Sequence, residues 1–177
     1  MTDAKEYGRA LFLITEEDSV SDKVRLDVQS AESAIKSNPE YIKIIDSPAL
    51  PKSERVELID KAFGSLDARL VNLLKILAEN RSFYLFEKAA RAYYAFYDES
   101  RGIVRVEAVT AVPLTKEQTA ALERKLREKQ RGVYVISNTV DPSILGGIKL
   151  RYSGIQLDGS VKTRLDKFEE ALKSTVI

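Results

Sequence analysis

Tyr97-Asp98-Glu99-Ser100-Arg101-Gly102-Ile103-Val104-Arg105-Val106-Glu107-Ala108 is the stretch on which the fold turns. Up to Ser100 the apolar residues recur at helical spacing. From Val104 the even positions Val104, Val106, Ala108, Thr110 and Val112 are apolar or small, while Arg105 and Glu107 lie between them. That alternation marks a half-buried strand. Arg101-Gly102 is therefore read as a boundary, with one domain over 1–101 and a second over 102–177. Charge changes at the same place. Residues 1–100 carry 14 basic and 18 acidic side chains, and residues 101–177 carry 14 and 9.

Outward toward the N-terminus, the spacing predicts six helices joined by short connections, the pattern of an antiparallel bundle. The first covers Ala4 to Glu16. The second follows Ser19-Val20-Ser21 and sets Val24, Val28, Ala31 and Ile35 on one face. Asn38-Pro39 opens a short third helix through Ile45. Pro51 opens a fourth, with Val56, Ile59 and Phe63 inward and Gly64 as its stop. The fifth runs from Leu66 to Glu79 and the sixth from Phe83 to Ser100. The seven aromatics in residues 83–97 read as mostly core.

Toward the C-terminus the pattern is α+β. Pro113 ends the first strand. Thr115-Lys116-Glu117-Gln118 is a capping box, opening a helix with Leu122 and Leu126 inward. Strands follow at Val133–Val140, Ile148–Tyr152 and Ile155–Leu157, and then a last helix with Val161, Leu165, Phe168 and Leu172 inward. The predicted fold class is mainly α: a six-helix bundle followed by a small α/β domain.

Composition excludes much chemistry. The 177 residues are 44% hydrophobic and 31% charged, enough for a buried core, with a net charge of +1. Without Cys or His there is no thiolate nucleophile, imidazole base, Cys/His metal site or disulfide framework. No apolar run reaches the ~20 residues that span a bilayer, and Met1 to Glu6 carries no signal-peptide core. The expectation is a soluble intracellular protein without cofactor or metal. Ser33-Ala34-Ile35-Lys36 matches an acyl-serine pattern but lacks its companion motifs. Gly146-Gly147 reads as a bend entering a strand, not a phosphate loop.

Two features remain as binding surfaces. On helix five, Leu70, Val71, Leu73, Leu74, Ile76, Leu77 and Ala78 span an arc of roughly 220°, where a helix on one core needs a stripe a little over ~100° wide. Helix one repeats the excess with Ala4, Tyr7, Gly8, Ala10, Leu11, Phe12 and Ile14; Leu13 falls outside even that arc. Either both helices are central in the bundle, or they wall a groove that takes an amphipathic helix from a partner. The second feature is Arg124-Lys125-Leu126-Arg127-Glu128-Lys129-Gln130-Arg131, five basic residues in eight. It is either a solvated helix face or a contact for nucleic acid or an acidic protein. Two rival functions stand beside a protein-binding adaptor. One is a nucleic-acid-binding helical adaptor using 124–131, which the small net charge disfavours. The other is an acid-base enzyme working with carboxylates and Lys alone, which requires perturbed groups clustered in one cleft.

The run Val140-Asp141-Pro142-Ser143-Ile144-Leu145-Gly146-Gly147-Ile148, followed by Gly154, Leu157 and Asp158-Gly159-Ser160-Val161, resembles the signature of the delta subunit of bacterial and chloroplast rotary ATP synthases. The mitochondrial relative is the oligomycin-sensitivity-conferring protein. Tyr7-Gly8-Arg9-Ala10-Leu11, Asn38-Pro39, Leu73 to Arg81 and Val104 to Thr115 agree with that family in order. Gly8 departs from the alanine common there and is expected to remove a methyl from the groove.

The resemblance implies a non-catalytic stator in the peripheral stalk, on the cytoplasmic face of the bacterial cell membrane and held there through partners. Residues 1–101 would hold N-terminal helices of the alpha subunits of the catalytic head, between helices one and five. The residues it points to are Tyr7, Leu11 and Ile14, with Leu73, Ile76, Leu77 and Asn80. Residues 102–177 would bind the C-terminal ends of the b subunits, with Arg124, Arg127 and Arg131 as the expected contacts. Asp141, Pro142, Gly146, Gly147, Asp158, Gly159 and Ser160 read as turn-making residues of the family motif.

Overall fold

The structure, a computed structural model, describes residues 3–129, 132–152, 155–161 and 163. The chain is mainly helical, with a small four-stranded sheet in its second half. It divides into two compact units, Met1–Asp98 and Glu99–Ile177. That division falls inside a helix, slightly before the Arg101-Gly102 expected from the change of pattern.

The first unit holds α1 (Ala4–Glu17), α2 (Ser21–Ser37), α3 (Pro39–Ile45), α4 (Lys52–Phe63), α5 (Ala68–Glu79), a 3-10 turn (Phe83–Leu85) and α6 (Phe86–Ser100). Val24, Val28, Ala31 and Ile35 of α2 are buried as their spacing requires. They join Leu11, Phe12, Ile59, Phe63, Leu70, Leu74, Leu77, Phe83, Phe86 and Tyr93 in one core. Helix α5 begins at Ala68, not Leu66, because the Asp67 carboxylate caps it, accepting from the Arg69 amide at 3.1 Å. In α4 the fully inward residue of the first turns is Arg55, while Val56 is half-buried. The aromatics of 83–97 divide. Phe83, Phe86 and Tyr93 are core, Tyr94, Phe96 and Tyr97 are half-buried, and Tyr84 is exposed.

The second unit holds β1 (Ile103–Thr110), α7 (Lys116–Lys129), β2 (Val133–Val140), a 3-10 turn (Pro142–Ile144), β3 (Ile148–Tyr152) and β4 (Ile155–Asp158). The sheet order is β2-β1-β3-β4. β1 and β2 are parallel, from Ile103 opposite Val133 to Thr110 opposite Val140, and α7 supplies the crossover a parallel pair needs. The other pairs are antiparallel. Val106, Ala108, Tyr134, Leu150 and Leu126 form the core beneath α7. β1 stops at Thr110, so Val112 is not its last inward residue; it is 69% exposed. Val109 is buried on the other face, which breaks the simple alternation. Val161, expected inward, is exposed. Leu165, Phe168 and Leu172 of the expected last helix lie outside the described residues.

Candidate functional site: the outer face of α1 and α5

Helices α1 and α5 are joined at one end by charge. The Arg69 guanidinium at the start of α5 pairs with Asp18 at the end of α1, 2.6 Å away, and with Asp67 at 3.0 Å. The Asp67 amide donates to Asp27 of α2 at 2.9 Å. Burial alone would raise the Asp67 carboxyl, but the Arg69 amide and guanidinium, with Lys23, hold it below the ordinary carboxylate value. The helices pack together, and because the end of α1 meets the start of α5 they run antiparallel from this joint. Equal steps back from Asp18 and forward from Arg69 set Ile14 level with Leu73, Leu11 with Ile76, and Tyr7 with Asn80.

The expected groove residues thus fall at matching levels of the two packed helices but at different depths. Ile14 is 49% exposed, Ile76 is 45% exposed, and Asn80 is exposed. Tyr7 is half-buried. Leu11, Leu73 and Leu77 are buried and form the layer beneath the surface, not its lining. Of the seven apolar residues in the wide arc of α5, all but Ile76 are core. Most of that arc is therefore explained by a central position in the unit, and the surplus is one side chain. On α1 the surplus is larger, because Leu13 is 54% exposed and Ala10 is also outward. The helical wheel set Leu13 aside and did not single out Asn72. Asn72, Ile76 and Asn80 lie four residues apart on the exposed side of α5.

Gly8 does not face this surface. It is buried against α6, where an added Cβ would stand 2.7 Å from Ala92 Cβ and 2.8 Å from the Tyr93 amide nitrogen, and closer still to the Ala89 carbonyl. The missing methyl lets two helix backbones touch; it does not widen a groove.

The far end of α5 is closed by three backbone bonds. The Asn80 amide donates to the Ile76 carbonyl (3.2 Å), Arg81 to Ala78 (3.2 Å) and Ser82 to Leu77 (2.9 Å). Arg81 takes a left-handed φ of 53°.

In the second unit, Arg124 and Arg127 project from the exposed side of α7, and Arg127 pairs with Glu123 at 2.5 Å. Arg131 lies outside the described residues. The residues of the C-terminal motif build two turns. Asp141 accepts from the Ser143 amide at 2.9 Å, and the Ser143 hydroxyl together with that amide holds its carboxyl below the ordinary value. Asp158 accepts from the Ser160 amide at 2.9 Å; this, the Ser160 hydroxyl and Lys149 hold its carboxyl far below the usual range. The Ser160 hydroxyl accepts from the Thr163 amide at 3.3 Å. Gly147, at φ +82°, lies so close that a Cβ would stand 2.9 Å from Ser160 Cα.

Among the described residues no group of three His, Cys, Asp or Glu stands ready to hold a metal, and no helix is long and apolar enough to cross a membrane. What the α1–α5 face offers is exposed apolar side chains, Leu13, Ile14 and Ile76, with Asn72 and Asn80 beside them.

The family model described as ATP synthase delta (OSCP) subunit matches residues 4–172. ATP synthase subunit delta of Clostridioides difficile (strain 630) is 30% identical over 175 residues, covering 98% of this chain and 97% of that protein. ATP synthase subunit 5, mitochondrial, of Candida glabrata is 29% identical over 177 residues, covering 96% and 86%. A chain of the Toxoplasma gondii mitochondrial ATP synthase hexamer superposes with a TM-score of 0.75 over 97% of this chain and 98% of its own, at 24% identity. That likeness shows a shared fold.

Proposed function

Since the chain belongs to the ATP synthase delta (OSCP) subunit family, we propose that it holds the catalytic head to the stalk through one surface on each of its two units. It is a non-catalytic component of the peripheral stalk of an F-type ATP synthase. Rotation of a central shaft does work only if the head is kept from turning with it. A subunit with that task needs durable contacts and no reactive groups.

The first unit, a six-helix bundle in this reading, takes the N-terminal helix of an alpha subunit on the α1–α5 face. The observation that carries this is the exposure of Ile14 and Ile76 on two neighbouring antiparallel helices, with Asn80 at the end of the seam. The docked helix covers these side chains over the buried layer of Leu11, Leu73 and Leu77, and the Tyr7 hydroxyl and Asn80 amide fix its register. The second unit takes the C-terminal ends of the b subunits, with Arg124 and Arg127 steering the approach. The complex then stands at the cytoplasmic face of the cell membrane, reached through these partners.

The test is calorimetric titration of the full chain with a peptide from the N-terminus of the matching alpha subunit. Ile76→Asp should weaken binding at least about tenfold, since it puts an unpaired carboxylate into a desolvated seam. Equal affinity in a folded Ile76→Asp chain would refute the groove.

A further inference from the structure

A charged side chain that helical spacing did not anticipate lies beneath the Asn80 end of this face. Arg55, in the first turn of α4, is only 4% exposed. Its Nη1 donates to the Ala78 carbonyl at 2.9 Å and to the Glu79 carbonyl at 3.4 Å. Among the described residues its Nε has no hydrogen-bond partner. The Glu79 carboxylate is engaged by Lys52 at 3.1 Å, which leaves the Arg55 guanidinium to the main-chain oxygens.

These carbonyls belong to the last turn of α5. The final carbonyls of a helix have no partner further along it, and they form the negative end of the helix dipole. Backbone amides take those of Ile76, Leu77 and Ala78. Arg55 supplies a second donor to Ala78 and reaches the remaining one, on Glu79. For stability alone this is an expensive solution. A buried cation with an unused donor costs more than a well-packed apolar side chain of the same size. What the guanidinium adds is direction. It clamps the turn immediately before Asn80, the C-cap residue, after which the chain reverses through the left-handed Arg81.

We propose that Arg55 is a positioning residue for the partner-binding face: by holding the last carbonyls of α5 it fixes the direction in which Asn80 presents its amide to a helix docked on α1 and α5. The inference rests on the groove reading above. It assigns a recognition role to a residue that never touches the partner.

A double-mutant cycle on the full chain tests it, with the alpha-subunit N-terminal peptide as probe and Arg55→Met, Asn80→Ala and their combination as variants. Ile59→Val, a core change on the same helix, controls for lost stability, and Ile76→Asp controls for the groove. Arg55→Met and Asn80→Ala should each weaken binding about fivefold, the loss of one hydrogen bond. The combined variant should bind no more weakly than Asn80→Ala alone. Ile59→Val should bind within about twofold of the parent despite a lower Tm, because its effect is confined to the core. Without peptide, the Ser82 and Arg81 amides should exchange with solvent faster in Arg55→Met. If that chain does not fold, Arg55→Lys, which keeps the charge but not the fork, is read in the same cycle. Losses that multiply in the combined variant overturn the proposal. So does normal binding by Asn80→Ala while Ile76→Asp binds poorly. Normal binding by Ile76→Asp instead removes the groove reading, and this proposal with it.

Discussion

Gly8 of α1 and Tyr93 of α6 bring two helix backbones into direct contact. A Cβ on Gly8 would stand 2.8 Å from the Tyr93 nitrogen, and Tyr93 itself is anchored by its hydroxyl, which donates to the Ser21 carbonyl at 2.9 Å. In an open helix Gly→Ala gains up to about 1 kcal/mol. Here two of the three atoms in the way are backbone and the third is Ala92 Cβ, so no flexible side-chain end can yield. Gly8→Ala should therefore destabilise the first unit by about 1–3 kcal/mol, the cost of overpacking. Urea unfolding checks the sign; a more stable variant would mean that α1 moves off α6 freely.

Asp67 links α5 to α2, and through Arg69 to the end of α1, and its depressed carboxyl sets a direction with pH. The folded value lies below the unfolded one, so its contribution is complete above an unfolded value of about 3.9 and is lost as the pH falls through the folded value. Asp67→Asn keeps a capping oxygen but not the charge. It should be less stable than the parent at pH 7, with the gap closing below about pH 4. Asp67→Ala should lose a further ~1 kcal/mol as the cap disappears. Denaturant midpoints measured across pH read both effects.

Tyr41 works at the alkaline end. Burial pushes its phenol up to about 12, and its hydroxyl donates to the Leu58 carbonyl at 3.0 Å. The fold favours the neutral form. Its contribution is full below the unfolded value of about 10 and is lost as the pH rises from there through the folded value. Tyr41→Phe should cost about 1 kcal/mol at neutral pH for the lost hydrogen bond. The difference from the parent should shrink above pH 10. A constant difference up to pH 12 would show that the phenol is not shielded.

The α7 charges make a separable prediction. If Arg124 and Arg127 steer a b-subunit end, Arg124→Glu with Arg127→Glu should slow association and flatten its salt dependence, since exposed charges are screened within about 10 Å at 0.1 M salt. Stopped-flow association at low and high salt reads this. An unchanged on-rate would place the b-subunit contact elsewhere on the second unit.

How much of this was legible in the sequence depends on how local the cause is. The capping box at Thr115 was readable because both partners lie within four residues. The Gln118 amide donates to the Thr115 hydroxyl oxygen at 3.2 Å, and the Thr115 amide to the Gln118 side-chain oxygen at 2.9 Å. The face of α2 was readable for the same reason. Arg55 was not, because a helical wheel ranks positions by hydropathy. Its inward turn is set by carbonyls on α5, 23 and 24 residues away in sequence. The parallel pairing of β1 with β2 was likewise invisible to alternation, which reports the faces of a strand and not its neighbour. At the site, the wide arc on α5 pointed to the α1–α5 face through more residues than that face exposes. Most of that arc is core, and the exposed surplus lies in Ile76 and in Leu13 and Ile14 of α1, the first of which the wheel had set aside.

In the proposed assembly the α1–α5 face receives the catalytic head. The most direct measurement is an NMR titration of the full, isotopically labelled chain with the alpha-subunit N-terminal peptide. Saturable shifts should concentrate at Tyr7, Leu13, Ile14, Asn72, Ile76 and Asn80, with α3 and α7 unmoved. Shifts centred on another face, or none at millimolar peptide, would contradict it.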